Sequence, residues 1–516
     1  MPVDPQVKKD LEGVVGADNV ITDPGIIFTE IYDAWLQIIP GKPIKFPDYI
    51  VKPANEMEVA EVMKIANKYK IPVHPCTGYT YKLPLAGGIL LQLTRMTRIH
   101  EVNVEEMYAV IDAGVTFNQF FRYTRARGLN VMIPYATFPP HVSIVANYLF
   151  KGIGSNIIPI SDGNQEALMA LEVVLPTGEI VHTGSWSQPN SSCKYTFDLG
   201  WGPQLTRIFV GALGTLGVVT KAAIKMWPAP KAVTTKILAH DDVEGMCRSM
   251  RELALNKIFP ATTGGHWLLA VLHGPDRAPY WGFEHRKKLY ELTDEDITKM
   301  REYYGFPGKG PHCYYCLAIA PHWVSEDEAK VTEKAFEEYL KKRPDVKVLD
   351  PEVGGGRFCR LELSVKADGA LSGDPTQIRT RYVGWTPGLI WSFYGSIGWS
   401  TFAKMHEITW SVGRKCGLVP ALHTLSINEG RAAHVRYMVP IERGDPKGLD
   451  SYAKFVGEVI PRVIKEAGFT PARCFGLGAQ TVSSIVDPGF AELYRKIKRA
   501  LDPNNIMSPA LAFNLM

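Results

Sequence analysis

Two glycine clusters and one cysteine pair are the first features whose spacing could do chemistry. Gly211, Gly214 and Gly217 give G-x-x-G-x-x-G, and Gly152 with Gly154 gives G-x-G. A Rossmann dinucleotide loop lies between a strand and a helix. Here the last glycine runs into VVTKAAI, a strand pattern, so each cluster taken alone reads as a turn. Cys313-Tyr-Tyr-Cys316 has redox or zinc spacing, but a redox pair needs a helix start and a zinc site a second pair. In a strand, a spacing of three puts the two thiols on opposite faces. His74, His423 and His434 form neither H-x-x-x-H nor H-E-x-x-H, and G-x-S-x-G and G-x-x-x-x-G-K-[ST] do not occur. Zinc-hydrolase, esterase and P-loop readings therefore lose their support, and no metal site is expected. An enzyme-sized chain without an evident catalyst of its own fits cofactor-dependent chemistry.

The elements that must position such chemistry belong to a large globular protein. The chain has 516 residues, 46% hydrophobic and 21% charged, which excludes wholesale disorder and predicts two or three domains. Lys plus Arg at 57 against Asp plus Glu at 53 leaves +4, too little to expect nucleic acid as a partner. The chain has no apolar stretch of membrane-spanning length, so no membrane span is expected. MPVDPQVKKDLEGVVGADNV lacks the apolar core of a signal peptide, which makes the cytoplasm the default expectation and the periplasm the alternative. Eight scattered cysteines do not make a disulfide scaffold.

Short helices and strands alternate in the first half. Asn55 with Glu58 marks a helix start, and Val59, Val62, Met63 and Ala66 share one face. IPVHPC, GILLQLTRM and ALMALEVVL read as strands, TFNQFFRYTRARG as a helix. Beyond about residue 230, the strand CYYCLAIA and the helix SEDEAKVTEKAFEEYLKKR begin a strand-plus-helix pattern that predicts an α+β domain on an antiparallel sheet. The helix DPGFAELYRKIKRAL near the C-terminus is expected to bury Phe490, Leu493, Ile497 and Leu501.

The order of these blocks resembles the vanillyl-alcohol oxidase / para-cresol methylhydroxylase flavoprotein family, and within it the cresol-dehydrogenase branch. The similarity is carried by IPVHPCTGYT, GGILLQLTRMTRIHEVNVEEMYAVIDAGVTFNQF, VANYLFKGIG, ALEVVLPTGEIVHTG, GALGTLGVVTKAAIKMWPAPK and RKIKRALDPNNIMSP, and runs from about residue 20 to 509. GWGPQLTRIF, CYYCLAIA and EAGFTPARCF have counterparts in that branch. The resemblance implies an α+β fold: an FAD-binding domain in two parts, at 1–232 and 456–516, with a substrate (cap) domain at 233–455.

It also implies FAD as cofactor, cradled by Pro75, Cys76, Thr77, Gly78, Tyr79, Thr80, Asn147, Gly152, Gly154, Gly214, Gly217, Val218 and Asn505. The implied activity is hydride removal from the benzylic carbon of a para-alkylphenol, bound as phenolate, to give a quinone methide that water attacks or that ends in desaturation. Arg473 stands where the family holds the phenolate oxygen, Tyr382 near the tyrosine that carries FAD covalently, Trp391 near a pocket aromatic and His423 near a pocket carboxylate. The chain departs from the family pattern at Ala472, where a tyrosine is expected, at Leu511, where an arginine is expected, and in a shortened turn that leaves Tyr79 or Tyr81 to supply a second hydroxyl. Asp162 and Glu166 lie in the segment expected to cross near the flavin. Those departures keep two alternatives open: dehydrogenation of a non-phenolic allylic hydrocarbon or alcohol such as a terpene, and an inert partner subunit of the same fold. The implied partners are a small aromatic or allylic substrate, a c-type cytochrome or other electron acceptor, and further subunits in a homodimer or hetero-oligomer.

Overall fold

The computed structural model describes residues 4–30, 45–77, 87–134, 141–152, 163–197, 202–269, 292–349, 389–441, 445–472 and 482–509. In the first half, strands β1 (Val20–Ile21), β2 (Tyr49–Val51), β3 (Val73–Cys76) and β4 (Ile89–Gln92) form a sheet in the order β1-β2-β4-β3. β2 and β3 both run parallel to β4, and helices α1 (Pro5–Val15), α2 (Pro24–Glu30) and α3 (Glu56–Tyr69) belong to this part. Asn55 caps α3 by accepting from the Glu58 N–H, and Val59, Val62, Met63 and Ala66 are buried, as the periodicity predicts.

A second sheet, antiparallel throughout, joins β5 (Ile99–Asn103), β6 (Tyr108–Asp112), β8 (Leu168–Val174), β9 (Ile180–His182) and β10 (Val218–Lys225) in the order β5-β6-β10-β8-β9. Between its strands come α4 (Phe117–Ala126), started by a Thr116–Gln119 capping box, the short β7 (Val131–Met132), and α5 (Ile144–Leu149). β7 pairs with β11 (Trp227–Pro228). One apolar core runs beneath both sheets, through Val62, Ile89, Ile111, Phe120, Tyr148 and Val173, and it takes in Ile506 and Met507 from the far end of the chain.

The remaining strands build one antiparallel sheet of eight. They are β12 (Ala232–His240), β13 (Ala261–His266), β14 (Tyr314–His322), β15 (Lys347–Leu349), β16 (Leu389–Ile397), β17 (Ala421–Ile427), β18 (Ala432–Pro440) and β19 (Thr470–Pro471), in the order β15-β12-β14-β13-β17-β18-β16-β19. Helices α6 (Val243–Leu255), α8 (Glu328–Lys342), α9 (Trp399–Lys415) and α10 (Pro446–Ala467) pack on one face. α7 (Asp294–Tyr303) packs on the other, against Trp267, Leu317 and Met438. Helix α10 runs across residue 455, and β19 pairs with β16 beyond it. Cys313 lies in the α7-side cluster and Cys316 in the helix-covered one, so the pair is split across the sheet.

The last helix, α11 (Pro488–Leu501), departs from the expected stripe. Ile497 and Leu501 pack half-buried against the first core, as expected, but Phe490 and Leu493 are 50% and 57% exposed, whereas Ala491 and Lys498 are buried. The helix is turned because the Lys498 ammonium finds its acceptors underneath it, at the Thr215 and Met507 carbonyls.

Candidate functional site

The glycine turn 211–217, β3 and the chain end meet in one place. Val73 donates its N–H to the Ile506 carbonyl at 2.7 Å, and Ser508 donates to the Val73 carbonyl at 2.9 Å, so the terminal segment extends the first sheet beside β3. Gly214 has φ +72°, and a Cβ there would lie 2.6 Å from Pro75 Cγ. That turn therefore needs glycine for its backbone angle and for the approach to β3.

Thr215, the next residue, is held from the C-terminal side. Its carbonyl accepts from Lys498 Nζ at 2.7 Å, and its hydroxyl meets the Tyr494 hydroxyl at 2.5 Å. Lys498 also bonds the Asp502 carboxylate, which accepts the Ile506 and Met507 N–H groups at 3.0 and 2.8 Å. Burial pulls Lys498 below the ordinary ammonium range while Asp502 draws it back up.

Asn147 and Gly152 form a second tight point. Gly152 donates its N–H to the Asn147 carbonyl at 2.8 Å, Asn164 Nδ2 donates to Asn147 Oδ1 at 2.8 Å, and a Cβ on Gly152 would sit 2.3 Å from the Asn147 side chain. Gly211 donates to the Leu149 carbonyl at 2.7 Å, which ties this segment to the glycine turn. A Cβ on Gly217 would fall 3.0 Å from Val173 Cγ1.

These residues fit a dinucleotide. Backbone turns that no side chain crowds are what phosphates need. Asn505, next to Ile506 in the segment that joins β3, adds a buried Oδ1 with no hydrogen-bond partner among the described residues. Val218 is buried and paired with Val174, and Cys76 packs with Ile27, Ile50 and Leu90. Thr77 ends the described part of that strand, and Glu166 sits half-buried in a short turn of 3₁₀ helix at Asn164–Ala167. Gly78, Tyr79, Thr80, Tyr81, Gly154, Asp162, Tyr382, Arg473 and Leu511 lie outside the described residues, and of Trp391 only the strand position is described.

The large sheet contributes a polar row. His423 on β17 pairs with Arg436 on β18, and Arg436 pairs with Tyr394 on β16. Directly opposite residues of antiparallel strands share a face, so all three point one way. Thr263 on β13 completes the group. Arg436 Nε donates to His423 Nδ1 at 2.7 Å, with Arg436 2% and His423 4% exposed. Tyr394 packs edge-on against the His434 ring at 4.1 Å, and its hydroxyl donates to the Lys151 carbonyl at 3.4 Å, beside Gly152. Ala472 donates its N–H to the Tyr394 carbonyl at 3.0 Å. A register shift between Trp391 and Tyr394 puts position 391 opposite Met438, on the same face as the row.

The structure thus brings Pro75 and Gly214 together, ties Asn147 and Gly152 to the same glycine turn through Leu149 and Gly211, and puts His423 on the sheet face of Tyr394, whose hydroxyl reaches the Lys151 carbonyl. Tyr394, Arg436 and Lys498 were not singled out from the sequence. The strand AAHVRYMV did carry a signal, since His434, Arg436 and Met438 alternate with apolar Val435, Tyr437 and Val439.

Residues 47–184 match the FAD binding domain family, and residues 430–511 match the C-terminal domain of FAD linked oxidases. The 4-cresol dehydrogenase [hydroxylating] flavoprotein subunit of Pseudomonas putida is 24% identical, over 96% of this chain and 93% of that one. The crystal structure of p-cresol methylhydroxylase with substrate bound superposes with a TM-score of 0.84 at 22% identity, over 98% of this chain and 96% of that one. The 4-ethylphenol oxidase of Gulosibacter chungangensis superposes at 0.83 with 19% identity, over 99% and 98% of the two chains. The match to a glycolate oxidase subunit of Bacillus subtilis, 28% identical, covers 50% of this chain and only 52% of that one. Among the described residues, no helix is long and apolar enough to cross a membrane.

Proposed function

Because this chain is an FAD-linked oxidoreductase with the two-part FAD-binding fold of the vanillyl-alcohol oxidase / para-cresol methylhydroxylase type, we propose that it removes hydride from the benzylic carbon of a para-alkylphenol-like substrate. The phenolate becomes a quinone methide, and water adds at the benzylic carbon, or a proton leaves the neighbouring carbon to give the desaturated product. The observation that carries this reading is the match to a 4-cresol dehydrogenase subunit along 96% of the chain. FAD, when bound, supplies the acceptor for the hydride.

The chain's own residues hold the two reactants. Pro75, Gly214, Asn147, Gly152 and Asn505 hold the cofactor by backbone approach and one amide oxygen. Arg473 holds the phenolate oxygen, favouring the ionised phenol from which hydride departs more readily. The row His423–Arg436–Tyr394 offers a buried polar wall on one face of the large sheet, and Trp391 is the aromatic proposed for the pocket. Tyr382 is the site proposed for covalent attachment of FAD, so denatured protein is expected to keep its flavin and the Tyr382→Phe protein to release it. A c-type cytochrome or oxygen then reoxidises the flavin, and stopped-flow reoxidation with each distinguishes them.

Ala472 favours a second reading, because it cannot supply the hydroxyl that a phenolate would use. A missing hydrogen bond to a charged partner weakens binding by about 1.5–3 kcal/mol, which leaves room for a non-phenolic allylic substrate such as a terpene. The test is flavin reduction by 4-cresol, 4-ethylphenol and a cyclic terpene, each repeated with Arg473→Ala. Reduction by the phenols with a loss above roughly a hundredfold in the variant, ~2.7 kcal/mol, supports the phenol reading. Reduction by the terpene alone, indifferent to Arg473, overturns it.

A further inference from the structure

A buried amide oxygen beside the cradle has nothing to bond. Gln165 Oε1 is shut off from solvent and has no hydrogen-bond partner among the described residues. A buried acceptor left unmade costs free energy, so native chains keep few of them. The backbone that carries this one is fixed. The Gln165 carbonyl accepts from Arg207 Nη1 at 2.8 Å. Asn164, the residue before, is fully buried; its N–H donates to the Gly152 carbonyl at 3.0 Å and its side-chain amide to Asn147 Oδ1 at 2.8 Å. Gln165 is thereby tied to the Asn147–Gly152 point.

What else touches that point decides which part of a cofactor lies there. The Lys151 carbonyl, one residue from Gly152, accepts from the Tyr394 hydroxyl of the large sheet at 3.4 Å. Hydride passes to a flavin ring only when the reacting atoms are in contact. The stretch of cradle that meets the substrate side therefore serves the flavin half of FAD and not its adenine half. Two kinds of group in that half can donate to an amide oxygen, the hydroxyls of the ribityl chain and the N3–H of the ring. Phosphate oxygens, which accept, cannot.

We propose that Gln165 is a cofactor-binding residue whose Oε1 accepts a hydrogen bond from the flavin half of FAD, given by a ribityl hydroxyl or by the ring N3–H. This rests on reading the large sheet as the substrate side, and it does not require the substrate to be a phenol.

The test uses apoprotein carrying Tyr382→Phe, so that the proposed covalent link cannot form, with and without Gln165→Met. Methionine keeps the length of the side chain and removes the amide. The two effects expected are opposite in kind. Without ligand, the methionine protein should melt no lower, because the oxygen it loses bonds nothing. With ligand, its FAD dissociation constant, read from flavin fluorescence, should rise about tenfold for the one bond lost. Binding of ADP, which lacks the flavin half, should not change. 3-Methyl-FAD, which has no N3–H, separates the two donors. If the ribityl chain donates, the substitution weakens both dinucleotides alike; if the ring donates, it weakens FAD alone. An unchanged FAD affinity means that water satisfies the oxygen and overturns the proposal, as does an equal loss for ADP. A methionine protein whose apo form melts lower or does not fold overturns it too, since the oxygen then serves the fold. Flavin content of the unmodified protein is measured alongside, and a chain that holds no FAD overturns the cofactor reading and this one with it.

Discussion

Lys498, in the last helix, donates across 283 residues of sequence to the Thr215 carbonyl, 2.7 Å away, while its ammonium pairs with the buried Asp502. One side chain thereby joins the glycine turn to the terminal segment, and both border the proposed flavin cradle. Removing one partner of a buried pair leaves the other charge uncompensated, at a cost of about 3–5 kcal/mol. Lys498→Met is expected to release FAD more readily and to lower the melting temperature, because Asp502 can then no longer order the Ile506 and Met507 N–H groups as well. FAD affinity by fluorescence titration of the apoprotein checks this. An unchanged dissociation constant would show that the clamp does not govern the cradle.

Gly214 is expected to tolerate no side chain. Its φ of +72° already disfavours an L-residue, and a Cβ would press to 2.6 Å of Pro75 Cγ. Gly128 has a similar φ of +65° with nothing within 4 Å. Gly128→Ala should therefore cost only the left-handed backbone term, about 1–2 kcal/mol, with full flavin content. Gly214→Ala should cost more and lower the flavin-to-protein absorbance ratio. Equal flavin content in the two variants would mean that the turn does not approach the cofactor.

The cysteine pair is expected to be chemically silent. Cys316 on β14 and Cys313, just before its start, are buried in the clusters on opposite sides of the sheet, and burial raises the Cys313 thiol above its ordinary range. With a thiol reagent and peptide mapping, exposed Cys193 should label in the native protein. Cys313 and Cys316 should label only on unfolding and never appear linked. A native disulfide between them would contradict the strand geometry.

What could be read from the chain was what its local pattern encodes. Asn55 and Glu58, or Thr116 and Gln119, are three residues apart, and their capping bonds form between near neighbours. The Cys313–Cys316 split followed from strand periodicity in the same way. The candidate site is assembled over longer distances. Arg436 and His423 are 13 residues apart, but that they share a face with Tyr394 follows from the order β17-β18-β16, which places β16 beside β18 and not beside its chain neighbour β17. Lys498 looks like one of the exposed basic residues of RKIKRAL, and its burial depends on a carbonyl in the other half of the chain. Amphipathic periodicity therefore mis-set the rotation of α11, giving weight to Phe490 and Leu493 when the polar anchor decides it.

Acid should unfold the protein well before its carboxylates titrate. Burial holds His74 and His240 down at about 4 and His406 at about 3, and it holds fully buried His266 lower than an ordinary imidazole. An unfolded imidazole titrates near 6.5. Between 6.5 and about 4 the unfolded chain therefore binds more protons than the native one, and stability falls as pH falls through that window. For His240 the difference is worth about 3 kcal/mol by pH 4, and it lies in β12, away from the cradle. The His240→Gln protein should accordingly lose less stability between pH 7 and pH 4.5, its slope reduced by up to about 1.4 kcal/mol per pH unit. Denaturant unfolding at a series of pH values measures the slope. Parallel profiles for the two proteins would mean that His240 is protonated in the native state, against the burial that β12 gives it.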